Sequence, residues 1–358
     1  MFLLLLTVSL LYSSCGRIPL GFSHRIGWPS IAEQELNYAY TPHGPPSKIL
    51  LESLEENLDL TYLGNSGCLI SLPDLKLATA PFYSSPSLLR VLLQLPIWAK
   101  KRQIDQQLKA VLRESEQDLN GLKAILVGHS HYDHLMDVPH IVKNHLPEEA
   151  IVIGNKTAAF ILDSTGIQIK TASGKLDPLI GSNGSSATIQ PIRSSHAPHL
   201  LGGTVFGGSQ KTARKALPIF PFQWKEGQTY AYLIKLKTSK KDATPTTIYF
   251  QDAASSVPTD VLKRHFSENN RRLDIALLCV YGHQYLEDYP QAIIEATKAR
   301  YVILIHWEYF FRRFPSHLEN IRRLPHLDLE GFITALEAKG TRFHVPIPGC
   351  VYRFRSVR

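Results

Sequence analysis

A chain of 358 residues, 44% hydrophobic and 20% charged, has room for one large domain or two small ones and the balance of an ordinary globular protein. The net charge of +8 suits anionic partners. No long Lys/Arg run with interleaved aromatics accompanies it, so no specific nucleic acid is expected. Four cysteines, two of them (Cys68 and Cys279) inside apolar runs, make no disulfide framework and read as buried thiols.

Phe2 to Leu11 is apolar apart from Thr7 and Ser9. It is too short to span a bilayer, which takes about 20 residues, and fits the core of a secretory signal. Cys15 after Ser13-Ser14 resembles a bacterial lipoprotein processing site, although no Lys or Arg precedes the apolar run and Tyr12 stands where an aliphatic residue is usual. Residues 1–15 are therefore read as a signal peptide and the chain as exported to a bacterial cell envelope, with Cys15 as a lipid anchor to the membrane surface. If the segment is no signal, the location is cytoplasmic. Residues 16–56, with little periodicity and prolines at 42, 45 and 46, read as an N-terminal arm.

Strands are expected at Leu58–Leu63, Cys68–Leu72 and Leu75–Pro81, with turn chemistry at Gly64-Asn65-Ser66-Gly67. Residues 85–118 read as helical. The apolar part, Leu88 to Trp98, is a scaffold helix or a segment at a membrane surface, followed by Lys100-Lys101-Arg102. Lys123–Val127 is a buried strand and Leu135–Leu146 a helix with Leu135, Val138, Ile141, Val142 and Leu146 on one face. Between them lies His129-Ser130-His131-Tyr132-Asp133-His134. Alternate residues of a strand point the same way, so His129 and His131 can hold one cation, while Asp133 and His134 follow at the turn and reach a second. Imidazole and carboxylate are zinc ligands at roughly 2.0–2.2 Å.

Further strands are expected at 151–153, 188–192, 229–236, 246–250, 273–280, 301–305 and 342–346, with helices at 156–165, 290–298 and 327–339. The strands at 188–192, 246–250 and 301–305 run into His196, Asp252 and His306. Residues 351–358 read as a C-terminal tail.

The His-x-His-x-Asp-His run after an apolar strand, with the spaced His196, Asp252 and His306, resembles the metallo-β-lactamase superfamily over residues 57–350. In motif order it is most similar to the N-acyl-phosphatidylethanolamine phospholipase D-like branch, whose His-Trp-Gly corresponds to His306-Trp307-Glu308. The resemblance implies an α+β fold, a four-layer αββα sandwich, and a site for two divalent ions, zinc by default, with iron or manganese also accepting this donor set. It assigns His129, His131 and His196 to one ion, Asp133, His134 and His306 to the other, and Asp252 between them, with Asp133 and Asp252 as the catalytic carboxylates. His199 and His283 are implied as substrate contacts, against the plainer reading as loop residues. The Gly- and Pro-rich segment 200–228 is read as a lid whose Phe220, Phe222 and Trp224 line an acyl chain or simply pack on the sheet edge. The branch usually carries His at position 65 and Asp at position 80, where this chain has Asn65 and Ala80. Loss of such support weakens a site, and Asn65 is the candidate to replace it.

The expected activity is hydrolysis by a metal-bridging hydroxide, formed where two ions roughly 3.5–4 Å apart lower the pKa of water. A phosphodiester of a lipid or another anionic small molecule is the first substrate class. A lactone, amide or ester is the alternative, and a catalytically weakened metal-binding surface lipoprotein is the other. The sequence sets no oligomeric state.

Overall fold

The computed structural model describes residues 48–52, 57–173, 176–198, 204–240, 244–257, 259–268, 270–315 and 321–355. The expected signal peptide, Cys15, most of the expected arm and His199 lie outside the described residues.

In chain order the elements are β1 (Lys48–Glu52), β2 (Leu58–Gly64), β3 (Gly67–Ser71), β4 (Lys76–Thr79), α1 (Leu88–Leu92), α2 (Lys101–Ser115), β5 (Leu122–Leu126), α3 (Tyr132–Leu135) and α4 (Val138–His145). They continue with β6 (Ile151–Gly154), α5 (Lys156–Leu162), β7 (Ile169–Thr171), β8 (Leu179–Ile180), β9 (Ser186–Arg193), β10 (Tyr230–Lys237) and β11 (Thr246–Gln251). The last are α6 (Thr259–His265), β12 (Ile275–Cys279), α7 (Gln291–Thr297), β13 (Tyr301–Ile305), α8 (Leu329–Glu337), β14 (Arg342–His344) and β15 (Val351–Arg355).

The strands form two mixed sheets, ordered β1-β15-β2-β3-β4-β5-β6-β7 and β14-β13-β12-β11-β10-β9-β8. Two mixed sheets with accompanying helices agree with the α+β αββα sandwich that the resemblance implies. In the second sheet β9 and β11 both run antiparallel to β10, while β12 and β13 run parallel to β11. The C-terminal ends of β9, β11 and β13 therefore lie along one edge. The two sheets meet over the end of β5, where Tyr230 donates its backbone N–H to the Gly128 carbonyl at 2.9 Å and the Tyr232 hydroxyl donates to the Val127 carbonyl at 2.8 Å.

Local chemistry explains these elements. β12 and β13 read Ile-Ala-Leu-Leu-Cys and Tyr-Val-Ile-Leu-Ile, and every residue is buried, as parallel strands covered on both faces require. α2 buries Ile104, Gln107, Leu108, Val111 and Ser115, one stripe at helical spacing, and stops at Glu116 in the left-handed region (φ 55°). Cys68, Cys279 and Cys350 are buried free thiols, as expected.

Three boundaries differ from the sequence expectation. Residues 351–355 are not a tail: β15 pairs parallel with β1 and antiparallel with β2, so it lies inside the first sheet. β1 in turn comes from the region read as an arm. Both are short strands whose partners are distant in sequence, so no local pattern reports the pairing. The helix expected over Leu135–Leu146 is two helices, because Pro139 at the first turn of α4 lacks the N–H that would continue α3.

Candidate metal centre

The turn after β5 begins with Gly128, whose N–H donates to Asp252 Oδ2 at 2.9 Å. A methyl group built on Gly128 would overlap that carboxylate, so glycine is what lets β5 and the end of β11 approach. His129 Nδ1 then lies 3.1 Å from Asp252 Oδ1. The His129 and His131 rings are 4.7 Å apart, and His196, brought in by the end of β9, lies 4.8 Å from His129 and 5.3 Å from His131. Asp133 and His134 sit on the single turn of α3. Asp133 Oδ2 is 3.3 Å from His306 Nε2 and 3.4 Å from His134 Nε2, while His134 Nδ1 is 3.4 Å from Asp252 Oδ2.

The seven side chains named from the sequence thus form three overlapping groups: His129/His131/His196, His129/His134/Asp252 and Asp133/His134/His306. Within each, the ligand-type atoms lie within 4.8 Å of one another. Asp252 stands between the outer two groups, where a carboxylate can face both.

The electrostatics call for a cation. Burial alone would raise both carboxyl pKa values. Neighbouring imidazoles instead hold Asp133 well below the usual carboxylate range, and His129, His134 and the Gly128 N–H lower Asp252. Burial and His129 push His134 down to about 3, so it is a neutral imidazole, the form that ligates metal. Burial would lower His129 too, but Asp252 and Asp133 raise it: the carboxylates attract positive charge at this point. His129 Nε2, His134 Nδ1 and His306 Nδ1 are buried without a hydrogen-bond partner among the described residues. An unsatisfied buried nitrogen costs about 1–3 kcal/mol, and several in one cluster fit lone pairs kept for ions. His196 Nδ1 donates to the Ala197 carbonyl at 2.9 Å, which leaves the lone pair on Nε2. The site fits divalent ions of the zinc, iron or manganese kind.

A second set of side chains holds the ligand-bearing segments. Asn65, at φ 57° in the β2–β3 turn, donates from Nδ2 to the Asp133 carbonyl at 2.8 Å and accepts the His306 N–H at 2.6 Å. Its own N–H donates to Glu308 Oε1 at 3.2 Å, and Glu308 Oε2 accepts from Trp307 N–H at 3.2 Å. Burial pushes the Glu308 carboxyl up to about 7. Asn155 receives Ala158 N–H and Ser130 Oγ–H on Oδ1, both at 2.8 Å, and donates from Nδ2 to the carbonyls of Glu226 and Gln228 at 3.0 and 2.9 Å. It thereby fastens the 204–228 segment to the histidine turn. Ala80 is buried and brings no carboxylate. Asp137 anchors the segment just beyond Ala80, accepting the N–H groups of Tyr83 and Ser84 at 2.7 and 2.8 Å. Glu308 and Asp137 were not singled out by sequence reasoning. Their only signal is an acidic residue in otherwise apolar surroundings.

Two expected substrate residues are placed elsewhere. His283 donates to the Asp328 carbonyl and meets Phe332 edge-on at 5.1 Å, so it packs against α8. Tyr281, two residues earlier, is the one that stacks on His306 at 5.8 Å. Trp224 is 1% exposed, closes the 3-10 turn Pro221–Gln223 and is core rather than wall. The aromatic edges near the cluster are instead Phe206, 6.2 Å from His131, and Phe310, 5.0 Å from His306. A cavity of about 790 Å³ borders Arg300 and Tyr301 at the start of β13, whereas His306 follows its end, so that cavity is not part of this site.

No family model matches the chain, and no curated protein does. Among solved structures it is similar to Igni18, a metallo hydrolase of the archaeon Ignicoccus hospitalis, with TM-score 0.46 and 16% identity over 84% of this chain and 99% of that one. It is also similar to an isothiocyanate hydrolase from Delia radicum gut bacteria, at TM-score 0.45 and 13% identity over 82% of this chain and 98% of that one. CmlA, a diiron beta-hydroxylase from Streptomyces venezuelae, gives TM-score 0.46 and 13% identity over 85% of this chain and 55% of that one.

Proposed function

We propose that this chain is a metal-dependent hydrolase that cleaves phosphodiesters, with a lipid or another anionic small molecule as substrate. The observation that carries this is the convergence of five imidazoles and two carboxylates, from four separate strand ends, into three overlapping ligand groups. His129, His131 and His196 would hold one divalent ion and Asp133, His134 and His306 a second, with Asp252 shared. Such ions supply Lewis acidity that activates water and polarises the electrophile. Asp133 and Asp252 keep the site anionic enough to retain cations in a buried setting. Tyr281, its hydroxyl held protonated by burial, stacks its ring on His306 at 5.8 Å and so borders the cluster.

The phosphodiester and lipid parts of the proposal are supported by the net charge of +8 and by the exposed Leu88, Leu89, Leu92, Leu93, Leu95 and Trp98, followed by Lys100-Lys101-Arg102. Export and a lipid anchor at Cys15 belong to the same proposal. No described helix is long and apolar enough to cross a membrane.

The test is turnover of a bis-aryl phosphodiester and of a lactone by the purified chain, before and after chelation and zinc restoration. Asp252→Ala is expected to lower phosphodiester kcat/KM by more than about 100-fold. Faster lactone hydrolysis would replace the substrate class. Bound metal without turnover on either would favour a metal-binding surface protein.

A further inference from the structure

α2 and α4 bring together a second group of ligand-type side chains that shares no residue with the centre described above. Asp105 Oδ1, on α2, accepts from His140 Nε2 at 2.7 Å and from His145 Nε2 at 2.6 Å, both on α4. The two rings are 5.9 Å apart. The imidazoles are largely shielded, with side chains 9% and 15% exposed, while Asp105 is 37% exposed and opens to solvent. One His–Asp contact would be enough to tie two helices. Here two imidazoles and a carboxylate converge on one point from two rigid elements, and their donor atoms lie within 4.8 Å of one another.

We propose that Asp105, His140 and His145 form a further metal site that takes one zinc-like divalent ion, completed by water, and clamps α2 to α4. The donor set is imidazole, imidazole and carboxylate, as zinc prefers. His145 ends α4, where the helix carbonyls favour a cation.

Loading the site exchanges the two hydrogen bonds to Asp105 for bonds to the ion. Each ring presents its Nε2 lone pair to the ion, so the Nε2 proton leaves through solvent and the ligating ring carries its one proton on Nδ1. The donors then move apart to roughly 3.3 Å, the edge of a tetrahedron of ligands at about 2.0–2.1 Å. Asn144 Nδ2 lies 3.1 Å from His140 Nδ1. The same Nδ2 donates to the His140 carbonyl at 2.8 Å, and when Nδ1 takes its proton the bond to the carbonyl is the one Asn144 keeps. The ion would hold the far end of the helix that begins just after Asp133 and His134 and whose N-terminal neighbour, Asp137, anchors residues 83–84.

The experiment is zinc content per chain, with thermal unfolding with and without zinc, on the full chain stripped by chelator and dialysed at micromolar free zinc. Wild type, His145→Gln and Asp105→Asn are compared. Each variant is expected to hold one zinc fewer than wild type and to gain less in Tm from zinc. If His145→Gln does not fold, the near-isosteric Asp105→Asn decides alone. A chain carrying His129→Ala and Asp252→Ala makes the result independent of the larger cluster: it should lose one more zinc when His145→Gln is added. An unchanged zinc count in the Asp105 and His145 variants overturns the proposal and leaves these residues a hydrogen-bonded latch.

Discussion

Gly128 and Asp252 touch so closely that the smallest side chain at 128 would displace the carboxylate. Gly128→Ala should therefore behave as a variant of Asp252 although residue 128 binds nothing: metal at the centre and kcat/KM fall by about 10–100-fold. Elemental analysis and turnover, measured together on the variant, check this. Asn65 gives a finer test. Asn65→Gly keeps the left-handed backbone but removes the bond to the Asp133 carbonyl, and about a tenfold loss of metal affinity is expected together with a fall in Tm from the buried carbonyl left unpaired, worth about 1–3 kcal/mol. Asn65→Ala adds backbone strain of about 1 kcal/mol, so its Tm should fall further. At this scale His129, His131, Asp133 and His134 are legible as a local pattern, a His-rich turn after an apolar strand, while His196, Asp252 and His306 rest on the resemblance, and the structure brings all seven together. The partners of Asn65 are not legible, since Asp133 and Glu308 lie 68 and 243 residues away along the chain. Trp224 and His283 each carry two readings in the sequence for a related reason. A Gly- and Pro-rich segment and a residue after a strand carry no periodicity that says which way a side chain turns.

β14 and β15 show what burial of a titratable group does to an element. His344 closes β14, and its ring lies 5.1 Å from Tyr352 of β15, so it sits where the two sheets pack. Burial lowers its pKa to about 4 from an ordinary value of about 6.5. The folded state thus favours neutral imidazole. Its contribution is fully present above about pH 6.5 and is lost as pH falls towards 4, by about 3 kcal/mol at most. His344→Phe keeps a ring of similar size and removes the titration. Its stability should fall less than that of wild type between pH 6.5 and 4, as denaturant midpoints at both pH values will show. The same pair of strands marks the limit of reading elements from sequence. β12 and β13 are continuous apolar runs and announce themselves. β15 and β1 are stabilised by each other and by β2, and a short strand at the chain end looks like a tail until its neighbours are known.

For the molecule as a whole, the distribution of apolar and basic surface carries the last prediction. Leu89 is 64% and Trp98 55% exposed, and Leu88, Leu92, Leu93 and Leu95 are exposed beside them. The Ile97 N–H bonds the Ile219 carbonyl at 2.7 Å, which brings exposed Ile219 alongside this segment. Arg90 lies over the Trp98 ring at 5.2 Å, and Lys100-Lys101-Arg102 follow. Apolar side chains bordered by cations suit the interface of an anionic bilayer, where burial and charge attraction add. The full chain should bind vesicles containing anionic lipid, more weakly as salt is raised. Leu89→Ser with Trp98→Ala should cost about 2 kcal/mol, or roughly 30-fold in partitioning, measured by vesicle sedimentation. Because neither residue belongs to the metal centre, turnover of a soluble bis-aryl phosphodiester should stay unchanged while turnover of a vesicle-borne substrate falls with binding. If partitioning is unaltered, the patch plays no part at a bilayer, and the basic excess then serves a soluble anionic substrate instead.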